Sequence, residues 1–327
     1  MKSTIVVANL TVVVLLAAGA WASTETVLYS FTGGSDGGNP QYGTLARDSS
    51  GNLVGTTEFG GGGTGCGGLG CGTVFELMPN SDGSWNETVL YTFQGTGDGA
   101  YPTAGVVLDP GGNIYGTTNS INKYDCGTVF RLSGSTLTTL HSFHCGGNEG
   151  YGLFGGVIRD KSGNLYGTAY AGGKTNNGIA YEISSSGSFR VIHTFCLVAG
   201  CRDGANPYSP LVIDKEGDLL GTTGYGGHGS CNCGTVFKLL KSGSKWKETV
   251  LRSFDGSDGA VPEFASLTLG TVKSGSKELV AIFGVTTVGG SGTGANGTVF
   301  EMIKARTGYK LTVLHSFPST SGDGYTP

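Results

Sequence analysis

Acid–base or metal chemistry needs carboxylates, imidazoles or thiols in a set that occurs once, and this 327-residue sequence offers few. Asp125, His144, Glu149, His228 and Glu263 are the candidate catalytic residues, because each can hold or move a proton and each breaks an otherwise repeated pattern. A second set is repetitive: an acidic residue followed by glycine returns at Asp36, Asp98, Glu149, Asp203, Asp258 and Asp323. Among these, Asp36, Asp98, Asp203 and Asp258 are the candidate calcium ligands, since carboxylate oxygens suit a hard cation. His141, His193 and His315 fill the slot that other copies give to Tyr29, Tyr91 and Arg252, so they are repeat positions and not a metal triad. No His-Glu-x-x-His or phosphate loop is present. The glycine runs at 59–65 and 289–297 precede strand-like segments, which leaves no helix N-terminus for a phosphate.

The elements that must position these groups are written as a tandem repeat. "GTVFEL" (72–77) returns as "GTVFRL" (127–132), "GTVFKL" (234–239) and "GTVFEM" (297–302), with "GIAYEI" (178–183) as a drifted copy. "GNLVGTT" (51–57) and "ETVLYSF" (25–31) recur alongside it, and the closing Phe of the latter (Phe31, Phe93, Phe143, Phe195, Phe254, Phe317) steps by 50–63 residues. Each repeat breaks into four short β-branched and aromatic runs, A to D, separated by Gly, Asn, Asp and Ser. The A–B joints open on Asp48, Asp109, Asp160 and Asp214 and carry a glycine, the grammar of tight hairpins. No apolar period of 3.6 persists over ten residues, so the chain is expected to be all-β. Four-stranded antiparallel units at this spacing predict a β-propeller. The shared aromatic of strand C, Phe75, Phe130, Phe237 and Phe300 with Tyr181 in the drifted copy, is predicted to be buried between blades.

A meander alternates direction, which puts the B–C and D–A loops on one face and the A–B and C–D turns on the other. All eight cysteines and the acidic-Gly pairs fall on the first face. A working surface is expected there.

Glycine supplies 62 residues, but regularly placed aromatics exclude simple disorder. Charged residues are only 13% of the chain and form no basic cluster, which excludes nucleic acid and anionic membrane surfaces as expected partners. An early Lys2, an apolar run over 5–18 and Ala20-Trp21-Ala22 predict a signal peptide at 1–22, leaving a repeat domain at 23–327 with no later membrane span. In an oxidising compartment Cys66–Cys71 and Cys196–Cys201 are expected to pair locally. Cys126, Cys145, Cys231 and Cys233 stay unassigned, because closing "CNC" on itself gives a tight ring. Zinc is disfavoured, with only His144 and His228 near these thiols.

The phrases "GNLYGTA" (163–169), "GTVFEL" and "ETVLYSF…DGGNP" together resemble the GloVer tandem repeat of choice-of-anchor proteins, over about residues 25–327. The Asp109–Tyr115 and Asp160–Tyr166 phrases are similar to the NHL-type propeller repeat. The resemblance implies an exported bacterial protein, secreted, periplasmic or at the cell surface; some members carry an anchoring segment, and none is legible here.

Six D strands against five each of A, B and C make 21, one more than five blades need. The expectation is therefore five blades of an incomplete six-bladed ring that closes on 25–31, with a closed five-bladed ring carrying a spare D strand as its rival. For function, the lack of a recognised catalytic spacing favours a non-catalytic protein that binds a glycan, a protein or another surface component through the B–C/D–A face. The alternative is a propeller hydrolase or lyase acting on a carbohydrate or lactone. No cofactor is expected, calcium being the one candidate.

Overall fold

A computed structural model of the chain describes residues 26–41, 43–119, 126–145, 148–264, 266–274, 277–291 and 296–318. The chain divides into two units, Met1–Ser30 and Phe31–Pro327. The expected signal peptide and Asp125 lie outside the described residues.

The second unit holds five antiparallel four-stranded sheets, each a meander in sequence order, consistent with a five-bladed propeller. Blade one is β1 (Ala46–Arg47), β2 (Leu53–Thr57), β3 (Thr73–Pro79) and β4 (Trp85–Thr92). Blade two is β5 (Val107–Leu108), β6 (Ile114–Thr118), β7 (Thr128–Ser133) and β8 (Thr136–Ser142). Blade three is β9 (Val157–Arg159), β10 (Leu165–Ala169), β11 (Ile179–Ile183) and β12 (Phe189–Thr194). Blade four is β13 (Val212–Ile213), β14 (Leu219–Thr223), β15 (Thr235–Ser242) and β16 (Lys245–Ser253). Blade five is β17 (Thr268–Ser274), β18 (Lys277–Thr286), β19 (Thr298–Lys304) and β20 (Tyr309–Ser316).

The hairpin grammar is seen at Asp109, whose Oδ1 accepts from the N–H groups of Gly111 (2.9 Å) and Asn113 (3.0 Å). Gly112 supplies the left-handed φ of 79° that the reversal needs. The repeated glycine of "GTT" has a different cause. In every blade it lies across the ladder from the strand-C aromatic: Gly55 from Phe75, Gly116 from Phe130, Gly167 from Tyr181, Gly221 from Phe237 and Gly284 from Phe300. A Cβ on Gly221 would stand 2.7 Å from the Phe237 ring, so the ring occupies the space a side chain would take. A bulge between strands C and D falls just before that aromatic in all five blades.

Each aromatic then meets the closing Phe of the preceding strand D edge to face: Phe93–Phe130 at 5.3 Å, Phe143–Tyr181 at 5.1 Å, Phe195–Phe237 at 5.0 Å and Phe254–Phe300 at 5.3 Å. The five strand-C aromatics are buried as expected. A hydroxyl clamp crosses each of these seams, Thr56 Oγ1 donating to Ala104 O (2.8 Å), Thr117 to Leu153 O (3.1 Å), Thr168 to Ser209 O (3.4 Å) and Thr222 to Pro262 O (2.9 Å). Blade five has Val285 in that slot.

One expectation is corrected. Of the six D segments, the first forms no strand over its described residues 26–31. Phe31 nevertheless meets Phe75 at 4.8 Å, as its counterparts do in later blades.

Candidate functional site

The loop face is built by one local device. Strand B runs on for one residue, whose N–H bonds to the carbonyl of a left-handed residue in its own blade's D–A loop: Glu58 to Asn39, Asn119 to Tyr101, Tyr170 to Gly152, Gly224 to Asn206 and Thr287 to Val261. The left-handed residues have φ of 58°, 58°, 75°, 56° and 55° in that order. Two residues further on, the loop delivers Gln41, Thr103, Phe154, Tyr208 and Glu263.

Blade five departs from this device. Its left-handed residue is the β-branched Val261, and Phe264 on the other side of Glu263 is also left-handed, at φ 62°. Glu263 is thus bracketed by two side chains in a conformation L-residues avoid, a kind of strain that concentrates at functional sites. The glutamate reaches over blade four at Gly224, where a Cβ would come within 2.6 Å of Oε1. At this place other blades carry Glu58, Asn119, Tyr170 and Thr287, so the missing side chain of Gly224 makes the room. Oε1 of Glu263 is buried with no hydrogen-bond partner, and burial pushes the carboxyl up to about 7.

Half-buried aromatics surround it. Tyr208 lies 4.9 Å from Phe264, 4.5 Å from Tyr170 and, nearly parallel, 4.8 Å from Phe154. Burial first, then Tyr170 and Glu263, raises the Tyr208 phenol well above its ordinary range; burial followed by Glu263 does the same for Tyr225. On blade one Glu58 accepts from Asn39 Nδ2 and Gln41 Nε2, both at 2.6 Å.

The other candidates are placed as follows. Glu149 Oε2 is 3.5 Å from Nδ1 of the exposed His144 and 3.3 Å from Nε2 of His141. His228 is exposed and tied through its backbone N–H to Ser253 Oγ. The repeated aspartates turn back into their own loops: Asp36 accepts from Thr32 N and Oγ1, Asp98 from Gln94 N, Asp203 from Leu197 N, and Asp258 from Asp255 N and Arg252 Nε. Among the described residues no group of three His, Cys, Asp or Glu is arranged to hold a metal ion. Four disulfides close on this face, Cys66–Cys71, Cys126–Cys145, Cys196–Cys201 and Cys231–Cys233. The tight "CNC" ring forms because Asn232 is left-handed (φ 55°), which brings the two Cα atoms to 5.2 Å. No helix of the described residues is long and apolar enough to cross a membrane.

Grooves lie on the opposite, A–B face. One of about 600 Å³ is lined by Asp214, Leu269, Ile282 and Tyr309, and its Lys238 is already paired with Asp214 (2.7 Å) and Asp218 (2.9 Å). Size favours that groove and chemistry favours Glu263, and for a reactive site chemistry decides. The sequence marked Glu263 but missed Gly224, the flanking strain and the aromatic strip. The signal was available, because aligning the loops on Pro40, Pro102, Pro207 and Pro262 brings Gln41, Thr103, Tyr208 and Glu263 into one column.

Three solved structures are similar to this chain. A thermostable family-43 glycoside hydrolase shares 12% identity, covering 87% of this chain and 96% of its own, with a TM-score of 0.43. An exo-1,5-α-L-arabinanase from a bovine ruminal metagenomic library shares 10% identity over 88% of this chain and 100% of its own, at 0.40. An endo-arabinase from Bacteroides thetaiotaomicron shares 11% over 83% of this chain and 98% of its own, at 0.39. The main expectation, a non-catalytic binding protein, is not the one these descriptions match: they name carbohydrate-cleaving enzymes, which is said of those proteins and not of this chain. The physical reason lies in the site: the sequence showed no familiar catalytic spacing, whereas burial raises three carboxyls with an unpartnered Oε1, of which Glu87 and Glu248 open the repeated "ETVL" phrase and Glu263 alone stands off the repeat pattern. No curated protein matches the sequence. The model of the Gloeobacter/Verrucomicrobia repeat matches residues 18–230 and again 70–278, and the chain belongs to that repeat family.

Proposed function

We propose that this is an exported carbohydrate-cleaving enzyme in which Glu263 donates the proton to the departing sugar oxygen. The observation that carries the reading is the Glu263 carboxyl, its Oε1 buried and unpartnered and its titration pushed up to about 7. An acid of that strength is still largely protonated just below neutrality and gives up its proton readily, which is what general acid catalysis requires. In the proposed step water adds across the glycosidic bond. Glu263 gives its proton to the leaving oxygen, the C–O bond breaks, and a second carboxylate takes the proton from the attacking water. Glu58, held by two amides on the same face, is the candidate for that second role. Calcium has no part in this step. Four disulfides support work in an oxidising compartment, in keeping with a leader over 1–22 that is removed on export.

The test is release of reducing ends from a panel of polysaccharides. Because the acid must be protonated, wild-type activity should fall as pH rises through about 7. Glu263→Gln should lower kcat by roughly 10²–10⁴-fold and lose that limb of the profile. A Glu263→Gln protein that turns over at the wild-type rate sinks the assignment.

A further inference from the structure

We infer that the A–B face carries a second binding site, a cavity where strands A of four blades converge, which takes a small organic acid, its carboxylate held by Arg47 and Arg159 and its apolar body by the aliphatic side chains between them.

The cavity measures about 470 Å³ and is lined by Arg47 of β1, Val107 and Leu108 of β5, Ile158 and Arg159 of β9 and Ile213 of β13. One cavity can touch strand A of four successive blades only where those strands come together, so it lies at the middle of the face and apart from Glu263, which belongs to the loops of the opposite one. Its volume falls within the range of about 300–1,000 Å³ common for small-molecule sites. Arg47, Leu108, Arg159 and Ile213 occupy one repeat slot, the residue before the Asp that opens each A–B turn. Charged and apolar side chains therefore alternate around the cavity. In blades one and three the arginine folds over its own turn: a Cβ on Gly51 would stand 3.4 Å from Arg47 Nη2, and one on Gly163 would stand 3.1 Å from Arg159 Nη2.

What singles out these two arginines is that the fold leaves their charge unanswered. Arg190 is held by Glu182, Arg252 by Asp258 and Lys238 by Asp214 and Asp218. Among the described residues neither Arg47 nor Arg159 has such a partner, and Arg159 Nε is buried without an acceptor, its guanidinium 5.8 Å from the centre of the Tyr115 ring. The carboxylates next to them in sequence are committed to their own turns. Asp48 accepts from Ser50 N, Asn52 N and Asn52 Nδ2, and Asp160 from Ser162 N, Asn164 N and Tyr166 OH. No described acidic side chain lines the cavity. A buried donor without an acceptor is costly, and a guanidinium presents a fork of donors that matches a carboxylate. The rest of the lining is aliphatic, which favours a hydrocarbon body over a hydrated inorganic ion. The two halves together select an organic acid.

Calorimetric titration of the full chain with 4-phenylbutyrate, its neutral amide 4-phenylbutyramide and inorganic phosphate tests this. 4-Phenylbutyrate should bind, the amide and phosphate should each bind about tenfold more weakly or worse, and the affinity for 4-phenylbutyrate should fall as salt is raised. Arg47→Gln and Arg159→Gln should each lower that affinity by about tenfold or more, and Arg159→Lys, which keeps the charge and loses the fork, should fall between wild type and Arg159→Gln. Arg202→Gln, at an exposed position outside the cavity, should bind as wild type does. Unchanged melting temperatures separate lost contacts from misfolding, and the exposed Arg47 supplies the readout if Arg159→Gln does not fold. No binding of 4-phenylbutyrate, equal binding of the amide, tighter binding of phosphate, or indifference to Arg47→Gln and Arg159→Gln overturns the inference.

Discussion

Phe237→Ala should cost this protein about 4 kcal/mol of stability, and the number follows from what the ring touches. Phe237 is 0% exposed, stands 5.0 Å from Phe195 across the seam between blades three and four, and lies over Gly221 on the neighbouring strand. A buried phenylalanine covers on the order of 150–200 Å², and removing what lies beyond Cβ loses roughly 3–4 kcal/mol at about 25 cal/mol/Å². The void raises the cost further, because the residue beneath is a glycine with no side chain to move into it. The range for Phe→Ala in a core is about 3–5 kcal/mol, and this site belongs in its upper half. The repeat supplies a control in Phe317, the last of the closing phenylalanines, which is half-exposed while Phe93, Phe143, Phe195 and Phe254 are 0–1% exposed. Phe317→Ala should cost about 1 kcal/mol. Urea unfolding of both variants and wild type, followed by circular dichroism under non-reducing conditions, gives the comparison. A Phe237→Ala loss under about 1.5 kcal/mol, or equal losses at the two positions, would refute the seam as the main store of stability.

Three further outcomes are expected. The Glu263 carboxyl titrates near 7 in the fold against 4.5 as a free side chain, so the stability gained by holding its proton is complete below about pH 4.5 and lost as pH rises through about 7; Glu263→Gln should therefore gain on wild type between pH 5 and pH 8, by roughly 1–2 °C in melting temperature once solvent screening is allowed for. His193 runs the other way, since burial lowers it to about 4 from 6.5 and Nε2 has no partner, so the fold is unpenalised above about pH 6.5 and weakens as pH falls towards 4; His193→Gln should flatten that acid limb in thermal melts. Replacing both Cys126 and Cys145, 19 residues apart, with serine should cost about 3 kcal/mol against about 2 for the Cys66/Cys71 pair, whose loop is shorter, and denaturant midpoints in the opposite order would sink the loop-closure account.

How much of this was legible in the sequence differs between fold and site for a physical reason. The aromatic of "GTVF" and the glycine of "GTT" are opposed in every blade, so the constraint that fixes them is written five times and burial of Phe75 or Phe300 could be read directly. The segment at 25–31 carries the same letters as a strand D but makes none over its described residues, because strand formation depends on a neighbour that local sequence does not supply. The pairing of Cys231 with Cys233 was illegible for a related reason, since it depends on the left-handed turn at Asn232, a backbone state and not a residue type.

The site was half legible, and the boundary falls where a single-residue reading gives way to a reading of pairs. Glu263 stood out because it is the acidic member of a column that otherwise holds Gln41, Thr103, Phe154 and Tyr208. Gly224 did not, because glycine is this chain's commonest deviation and only the glutamate reaching over from the next blade gives that one a role. A repeat makes this separation possible: blades two to four carry Thr103, Phe154 or Tyr208 at the delivered position without two flanking left-handed side chains, so the strain at Val261 and Phe264 is not needed to build a blade. Strain of this kind persists only where the surrounding structure over-determines it. In blade five it holds a carboxyl against a bare glycine with Oε1 buried and unpartnered, and burial raises the group to the range where a proton can be given up at neutral pH.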